Sequence, residues 1–233
     1  MLHQFGRWEF TPSQSPFCFK LETFFRIARI PYINEYGIKM SNKGKLPFIE
    51  VDGKQYCDSH LIIQMFKQKY HIDLDSHLTI QQHAILYSFQ RLLEDHLNFG
   101  VLHLRWTDNF PEVRKYSLKL PFLIDLLFAP MIQSQMIKQS VAQGIGKHSN
   151  DEIIALIHED LEALSILLGD KTFMFGELPS TLDIIAFPFL ANFLYVPFPG
   201  PLFDILSKYP NLVNFTHRFK NLFWSDWDEV LQK

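Results

Sequence analysis

The chain has 233 residues, 47% of them hydrophobic and 20% charged, with a formal net charge of −3. That length allows one large or two modest domains with a real core, and the slight acidity argues against nucleic-acid binding, which calls for a basic patch. Two cysteines, Cys18 and Cys57, are too few for a disulfide scaffold. Aromatic content is the outlier, with 23 Phe, which predicts a thick apolar core or an aromatic-lined pocket rather than an exposed aromatic surface. No stretch has the charge and cleavage pattern of a signal peptide. The longest apolar run, Ile184 to Pro199, is interrupted by Pro188 and Pro197 and is short for a membrane span. The expectation is a soluble, cytoplasmic protein.

In chain order, Met1–Phe5 reads as a short strand, followed by a polar, turn-rich segment with Gly6, Pro12 and Ser13. Ser15-Pro16 then opens a helix: Ser15 is a good N-cap, and Pro16 falls at the first helical position, where a missing N–H costs nothing. Phe17, Leu21, Phe24, Phe25 and Ala28 form its apolar stripe. Ile30-Pro31-Tyr32-Ile33 predicts a helix stop and a short extended segment, and residues 34 to 45 a loop. Leu46–Val51 and Lys54–Cys57 read as strands joined by Asp52-Gly53, a favoured hairpin turn. Asp58-Ser59 caps the next helix, whose expected apolar face is Leu61, Ile62, Met65 and Phe66, ending near Tyr70.

Beyond Leu78 the strong periods are helical: a long helix over 80–107, one or two helices over 118–142 interrupted around Pro130, and a helix from Asp151 to about Leu168 capped by Ser149 or Asn150. Ser180-Thr181-Leu182-Asp183 fits a capping box before a buried helix to about Tyr195. Two shorter helices, roughly 201–208 and 210–223, close the chain. The switch from mixed to all-helical pattern near Asp73–Leu78 sets the expected domains at 1–73 and 78–233.

A β-α-β unit plus hairpin followed by helices resembles the glutathione transferase superfamily, and particular residues carry the likeness across essentially the whole chain. Ser15-Pro16-Phe17-Cys18 resembles the Cys-Pro-Tyr-Cys site of thioredoxin-fold proteins, with Ser in the leading position. Leu46-Pro47 matches the pair containing a cis-proline, Asp58-Ser59 the acidic residue and Ser at the γ-glutamyl end of the tripeptide, and Ser180–Asp183 the box before the sixth helix. Within the superfamily, residues 15–23, 43–50, 58–59 and 90–97 running on to Arg105-Trp106 are similar to the failed-axon-connections and metaxin-like branch. The resemblance implies an α/β thioredoxin-like N-terminal domain plus an all-α C-terminal domain, the glutathione transferase fold. The 34–45 segment departs from typical transferases, whose second helix stands there.

It further implies glutathione as co-substrate. Ser15 would donate to the thiolate, and the main chain of Leu46 beside Pro47 would pair with the cysteinyl unit. Asp58 and Ser59 would hold the γ-glutamyl end, and Lys45, or Lys43, would meet the glycyl carboxylate. Phe17, Arg105 and Trp106 would line a pocket for a small hydrophobic electrophile, and the family habit implies a homodimer. Without a leading Cys the dithiol reaction is unavailable, so Cys18 and Cys57 read as packing thiols, and a reductase or peroxidase is disfavoured. Arg91 with Glu94 or Asp95 reads as a surface ion pair of little energetic weight, and no metal-ligand spacing appears among the ten histidines. Two functions stay open: a transferase acting on an electrophile, and a non-catalytic interaction protein of the same fold.

Overall fold

A computed structural model describes residues 1–232; Lys233, the last residue of the expected helical domain, lies outside them. Four strands, β1 (Leu2–Gln4), β2 (Asn34–Tyr36), β3 (Phe48–Val51) and β4 (Lys54–Cys57), form one sheet in the order β2-β1-β3-β4. β1 runs parallel to β2 through the crossover helix α1 (Pro16–Ile27), and antiparallel to β3. At the β3–β4 turn Asp52 and Gly53 both have positive φ, 50° and 73°, as a two-residue hairpin that follows strand twist requires. α2 (Ser59–Tyr70) follows, with Ile62, Ile63 and Phe66 buried and Leu61, expected on that face, turned to solvent. β2 falls inside the segment expected to be a loop. It is three residues long and mostly exposed, so it carries no apolar alternation to read.

The remaining helices are α3 (Ile80–Arg91), α4 (Asn98–Trp106), α5 (Phe110–Glu112), α6 (Phe122–Gln143), α7 (Asn150–Leu168), α8 (Thr181–Leu194), α9 (Pro201–Ser207), α10 (Pro210–Phe223) and α11 (Trp227–Leu231). α11 was not expected. The single long helix expected over 80–107 is divided by a wider-wound π-type stretch, Leu92–Leu97, and a second such stretch covers Val113–Leu118. Each shifts the helical face, so one 3.6-residue period cannot follow the whole length. The expected break at Pro130 is absent, because α6 runs through it. Pro130 is exposed, so the carbonyl that loses its intrahelical donor can turn to water.

The core is centred on α8, buried from Thr181 to Phe193. Its aromatics meet those of α1 and α10: Phe17 against Phe189, Phe19 against Phe187, and Phe187 stacked on Phe219 at 4.7 Å. The box at its start is formed as expected, with Asp183 accepting from the Ser180 N–H at 2.8 Å and hydroxyl at 2.6 Å, and from the Met174 N–H at 2.8 Å. Asp75 ties the first 70 residues to this helix. It accepts from the Thr181 N–H and hydroxyl at 2.8 and 2.7 Å and from Lys67 Nζ at 2.5 Å. Burial would raise its carboxyl, but those hydrogen bonds and the Lys67 charge outweigh it and hold the group below its ordinary range.

One surface contradicts the expectation that the aromatics would be interior. The first turns of α6 expose Phe122, Leu123, Leu126, Leu127, Phe128 and Met131, each at least half. No helix among the described residues is long and apolar enough to cross a membrane.

Candidate functional site

Strand register brings the predicted residues to one end of the sheet. Phe48 pairs with Cys57, so one step further along the ladder sets Pro47 opposite Asp58. His3 pairs with Phe48, which sets the chain leaving β1 beside Leu46-Pro47. The Cys18 thiol, in the first turn of α1, bonds to the Phe5 backbone there. Three chain segments therefore converge: the starts of α1 and α2 and the entry to β3.

Ser15 caps α1 with extended backbone, and its hydroxyl accepts from the Cys18 N–H at 3.4 Å. That bond is long, Ser15 is half-buried, and its hydroxyl also meets the Cys18 thiol. The Phe17 N–H, in the same turn, has no hydrogen-bond partner among the described residues. Cys18 is fully buried, and burial pushes its thiol up to about 11 against weaker bonds from Phe5, Ser15 and Ser13. A thiol so placed stays protonated and unreactive at neutral pH. Cys57 is half-buried with Sγ 2.9 Å from Asn42 Oδ1.

The Leu46–Pro47 bond is cis. Neither the N–H nor the C=O of Leu46 is paired among the described residues, which leaves main-chain donor and acceptor for an extended ligand backbone. Asp58, with φ 78° and ψ 115°, is a strained N-cap. One carboxylate oxygen takes the His60 and Leu61 N–H groups at 2.9 and 3.2 Å, and its other oxygen is unpaired. Ser59 is buried, with neither its N–H nor its hydroxyl bonded among the described residues. A free amide and hydroxyl at a helix start suit a carboxylate. Lys45 is exposed and makes no ion pair among the described residues.

The residues expected to line an acceptor pocket separate. Arg105, in the last turn of α4, donates Nη1 to the Gln14 carbonyl at 3.2 Å, one peptide unit from Ser15, with Trp8 5.7 Å away. Trp106 joins a second aromatic cluster with Trp8, Phe10, Phe110, Tyr116 and Phe198. Phe17 instead packs with the main core against Phe189. The structure thus ties Arg105 to the turn before Ser15, places Trp106 in the aromatic cluster of Trp8, and sets Phe17 in the main core.

Sequence reasoning missed the charged floor beside Asp58. Lys20, fully buried, meets Glu94 at 2.6 Å, and Glu94 also takes Arg91 at 2.6 Å and Gln90 at 3.2 Å. Gln90 in turn reaches His60 Nδ1 at 2.8 Å. The Arg91–Glu94 pair is therefore no ordinary surface bridge, because Glu94 is only 5% exposed and holds a second, buried cation. Burial lowers the Lys20 pKa, opposed by Glu94 and then by Asp58. A signal was present: Lys20 stands on the Phe17–Leu21–Phe24 stripe, where a cation needs a buried partner. Glu22 is buried likewise, gripped by Arg7 through two 2.7 Å bonds.

Residues 16–113 match the family model for the glutathione S-transferase N-terminal domain, and residues 157–219 that for its C-terminal domain. The chain belongs to the glutathione S-transferase superfamily. It is 35% identical over 251 aligned positions to failed axon connections of Drosophila melanogaster, covering all of this chain and 60% of that protein. It is 28% identical to an isoprene-epoxide glutathione S-transferase of Rhodococcus sp. (strain AD45), covering 77% of this chain and 78% of the other. Mouse metaxin-2 is 26% identical over 81% of this chain and 73% of its own. Among solved structures, a β-etherase from Sphingobium sp. strain SYK-6 superposes with a TM-score of 0.65 at 14% identity, covering 94% and 93% of the two chains. A glutathione S-transferase from Methylobacterium radiotolerans, solved with glutathione sulfonate, gives 0.59 at 16% identity, covering 94% and 89%. These likenesses establish the small mixed sheet plus helical domain as the glutathione S-transferase fold.

Proposed function

We propose that the protein binds glutathione across the starts of α1, β3 and α2 and adds its thiol to an apolar electrophile. The observation that carries this is the set of polar groups meeting at that end of the sheet: the Ser15 hydroxyl, held only by Cys18, and, without a partner among the described residues, the Phe17 N–H, both main-chain groups of Leu46, the Ser59 N–H and hydroxyl, and the second oxygen of Asp58. Their chemistry fits the tripeptide in order. Asp58 suits its ammonium and Ser59 its α-carboxylate, Leu46 its central peptide unit, and Lys45 its terminal carboxylate. Glutathione supplies the nucleophilic sulfur. Ser15 and the Phe17 N–H, at the positive end of α1, favour the ionised sulfur by charge-assisted hydrogen bonds. The aromatic wall beside Arg105 and Trp106 excludes water from the acceptor. The similarity to an isoprene-epoxide glutathione S-transferase supports an electrophile of this kind. The test is turnover of 1-chloro-2,4-dinitrobenzene with glutathione. Ser15→Ala should reduce turnover by about 100-fold while lowering Tm little, since the bond to Cys18 is long. Equal turnover in the variant would overturn the assignment of Ser15.

A second reading, a non-catalytic interaction protein, is favoured by the apolar start of α6. Six of its apolar side chains are at least half exposed, a contiguous patch of the kind that marks an interaction surface. The similarity to failed axon connections and the metaxins supports it. Absence of any thermal shift at 10 mM glutathione, on the order of physiological excess over a useful Kd, would favour this reading over the first.

A further inference from the structure

Of the seven arginines of this chain four pair with acids, while Arg29, Arg105 and Arg218 have no acid partner among the described residues, Arg218 donating to the Thr172 carbonyl at 2.6 Å with its Nε buried. Arg7, Arg26, Arg91 and Arg114 each grip a carboxylate, those of Glu22, Asp226, Glu94 and Asp125. Arg105 is half-buried and has no acid partner among the described residues, only one 3.2 Å bond from Nη1 to the Gln14 carbonyl. Its Nε and Nη2 have no hydrogen-bond partner among the described residues, and neither is sealed from solvent. Burial alone lowers its pKa to about 10, whereas the carboxylates beside Arg7 and Arg26 more than offset burial and raise theirs. Arg105 still carries its charge at neutral pH.

Its surroundings narrow the missing anion. The guanidinium lies 5.7 Å from Trp8, which meets Phe10 at 5.2 Å and Phe198 at 5.8 Å in edge-on contacts. Trp106, Phe110 and Tyr116 complete that half-buried wall. A position in the last turn of α4 makes a cation tolerable there, and the Gln14 bond links helix to loop. Neither feature uses the open fork of donors, whose geometry matches a carboxylate.

We propose that Arg105 is the anion-recognition residue of the acceptor pocket, and that the preferred acceptors are flat, apolar molecules carrying a carboxylate. Paired with Arg105, that carboxylate sets the rest of the molecule against the aromatic wall and within one peptide unit of Ser15. This inference deepens the transferase reading, but its binding arm does not depend on it.

Two measurements test it. The first, without glutathione, titrates the protein with 1-naphthoate and with 1-naphthamide, equal in shape and different in charge. Wild type should bind the acid roughly tenfold or more tighter, Arg105→Gln should bring the ratio near one, and Arg105→Lys should keep part of it. The ratio is the readout, because a merely structural loss would weaken both ligands alike. The second compares 4-fluoro-3-nitrobenzoate with its methyl ester as acceptors of glutathione, each corrected for its uncatalysed rate. In either reaction the C–S bond forms, the C–F bond breaks, fluoride leaves with the bonding pair, and the thiol proton goes to solvent. The acid should have the higher corrected kcat/KM, and Arg105→Gln should abolish that preference. A ratio near one in wild type, or an unchanged ratio in both variants, overturns the proposal. A naphthoate preference without turnover of either acceptor overturns the transferase reading and leaves the anion site standing.

Discussion

Glu94→Gln should be among the most damaging conservative changes in the chain. The Lys20 ammonium is 1% exposed and lies 2.6 Å from a carboxylate that is itself 5% exposed. At that separation and an effective dielectric constant near 20, the pair's attraction is about 6 kcal/mol. Much of it offsets the cost of removing both charges from water, so the net loss on deleting one partner is about 3–5 kcal/mol. The amide keeps the shape and some hydrogen bonding but leaves Lys20 buried without an anion. Arg91, more exposed, can turn to Asp95, which it already reaches at 3.3 Å. For a chain of this length such a loss lowers Tm by roughly 6–20 °C, read by calorimetry or urea titration at pH 7. The pH dependence has a definite sign. A lysine whose folded pKa is depressed makes the fold prefer the neutral amine, so the variant's deficit should shrink as pH rises toward 10. Lys20→Met in the Glu94→Gln background removes the stranded charge and should recover most of the loss. A deficit below about 1 kcal/mol, or no recovery in the double variant, would refute the buried-pair argument.

Asp75 should make the fold acid-sensitive: its carboxyl is held below the ordinary 3.8, so its stabilisation is complete above that pH and is lost as pH falls below it. Asp75→Asn should lower stability at pH 7 and flatten the acid limb of a Tm–pH curve. Asp183→Ala strands the buried N–H groups of Met174 and Ser180, and should cost about 3 kcal/mol by denaturant titration. Leu123→Lys with Leu127→Lys, at positions 71% and 67% exposed, should change Tm by less than about 2 °C and slow concentration-dependent association measured by light scattering.

What was legible in the sequence is what short-range chemistry decides. Ser15 before Pro16, Asp58 before Ser59, Ser180 with Asp183, and the Ser149-Asn150 pair each announce a helix start from within four residues, and of that last pair Ser149 is the cap. Asp52-Gly53 announces the hairpin in the same way. What could not be read depends on distant partners or on a change of helical winding. Lys20 and Glu94 are 74 residues apart, and Arg105 meets Gln14 across 91; no local pattern tells whether such charges are paired. The π-type stretch at Leu92–Leu97 lies inside an unbroken apolar period, so a single long helix was the natural reading. The site's outline was legible because its parts are caps and a turn. The open donors around it became visible only once every hydrogen bond was placed.

The most direct test of the central claim is a calorimetric titration with glutathione on wild type, Ser15→Ala and Ser59→Ala. The account predicts saturable binding to wild type, weakened about tenfold or more by Ser59→Ala through loss of a carboxylate anchor. Ser15→Ala should change affinity less but reduce the proton release that accompanies thiol ionisation at pH 7. No binding heat and no rise in Tm at 10 mM glutathione, about 100 times a Kd of 0.1 mM and therefore a shift of about 2.7 kcal/mol if binding occurred, would contradict it.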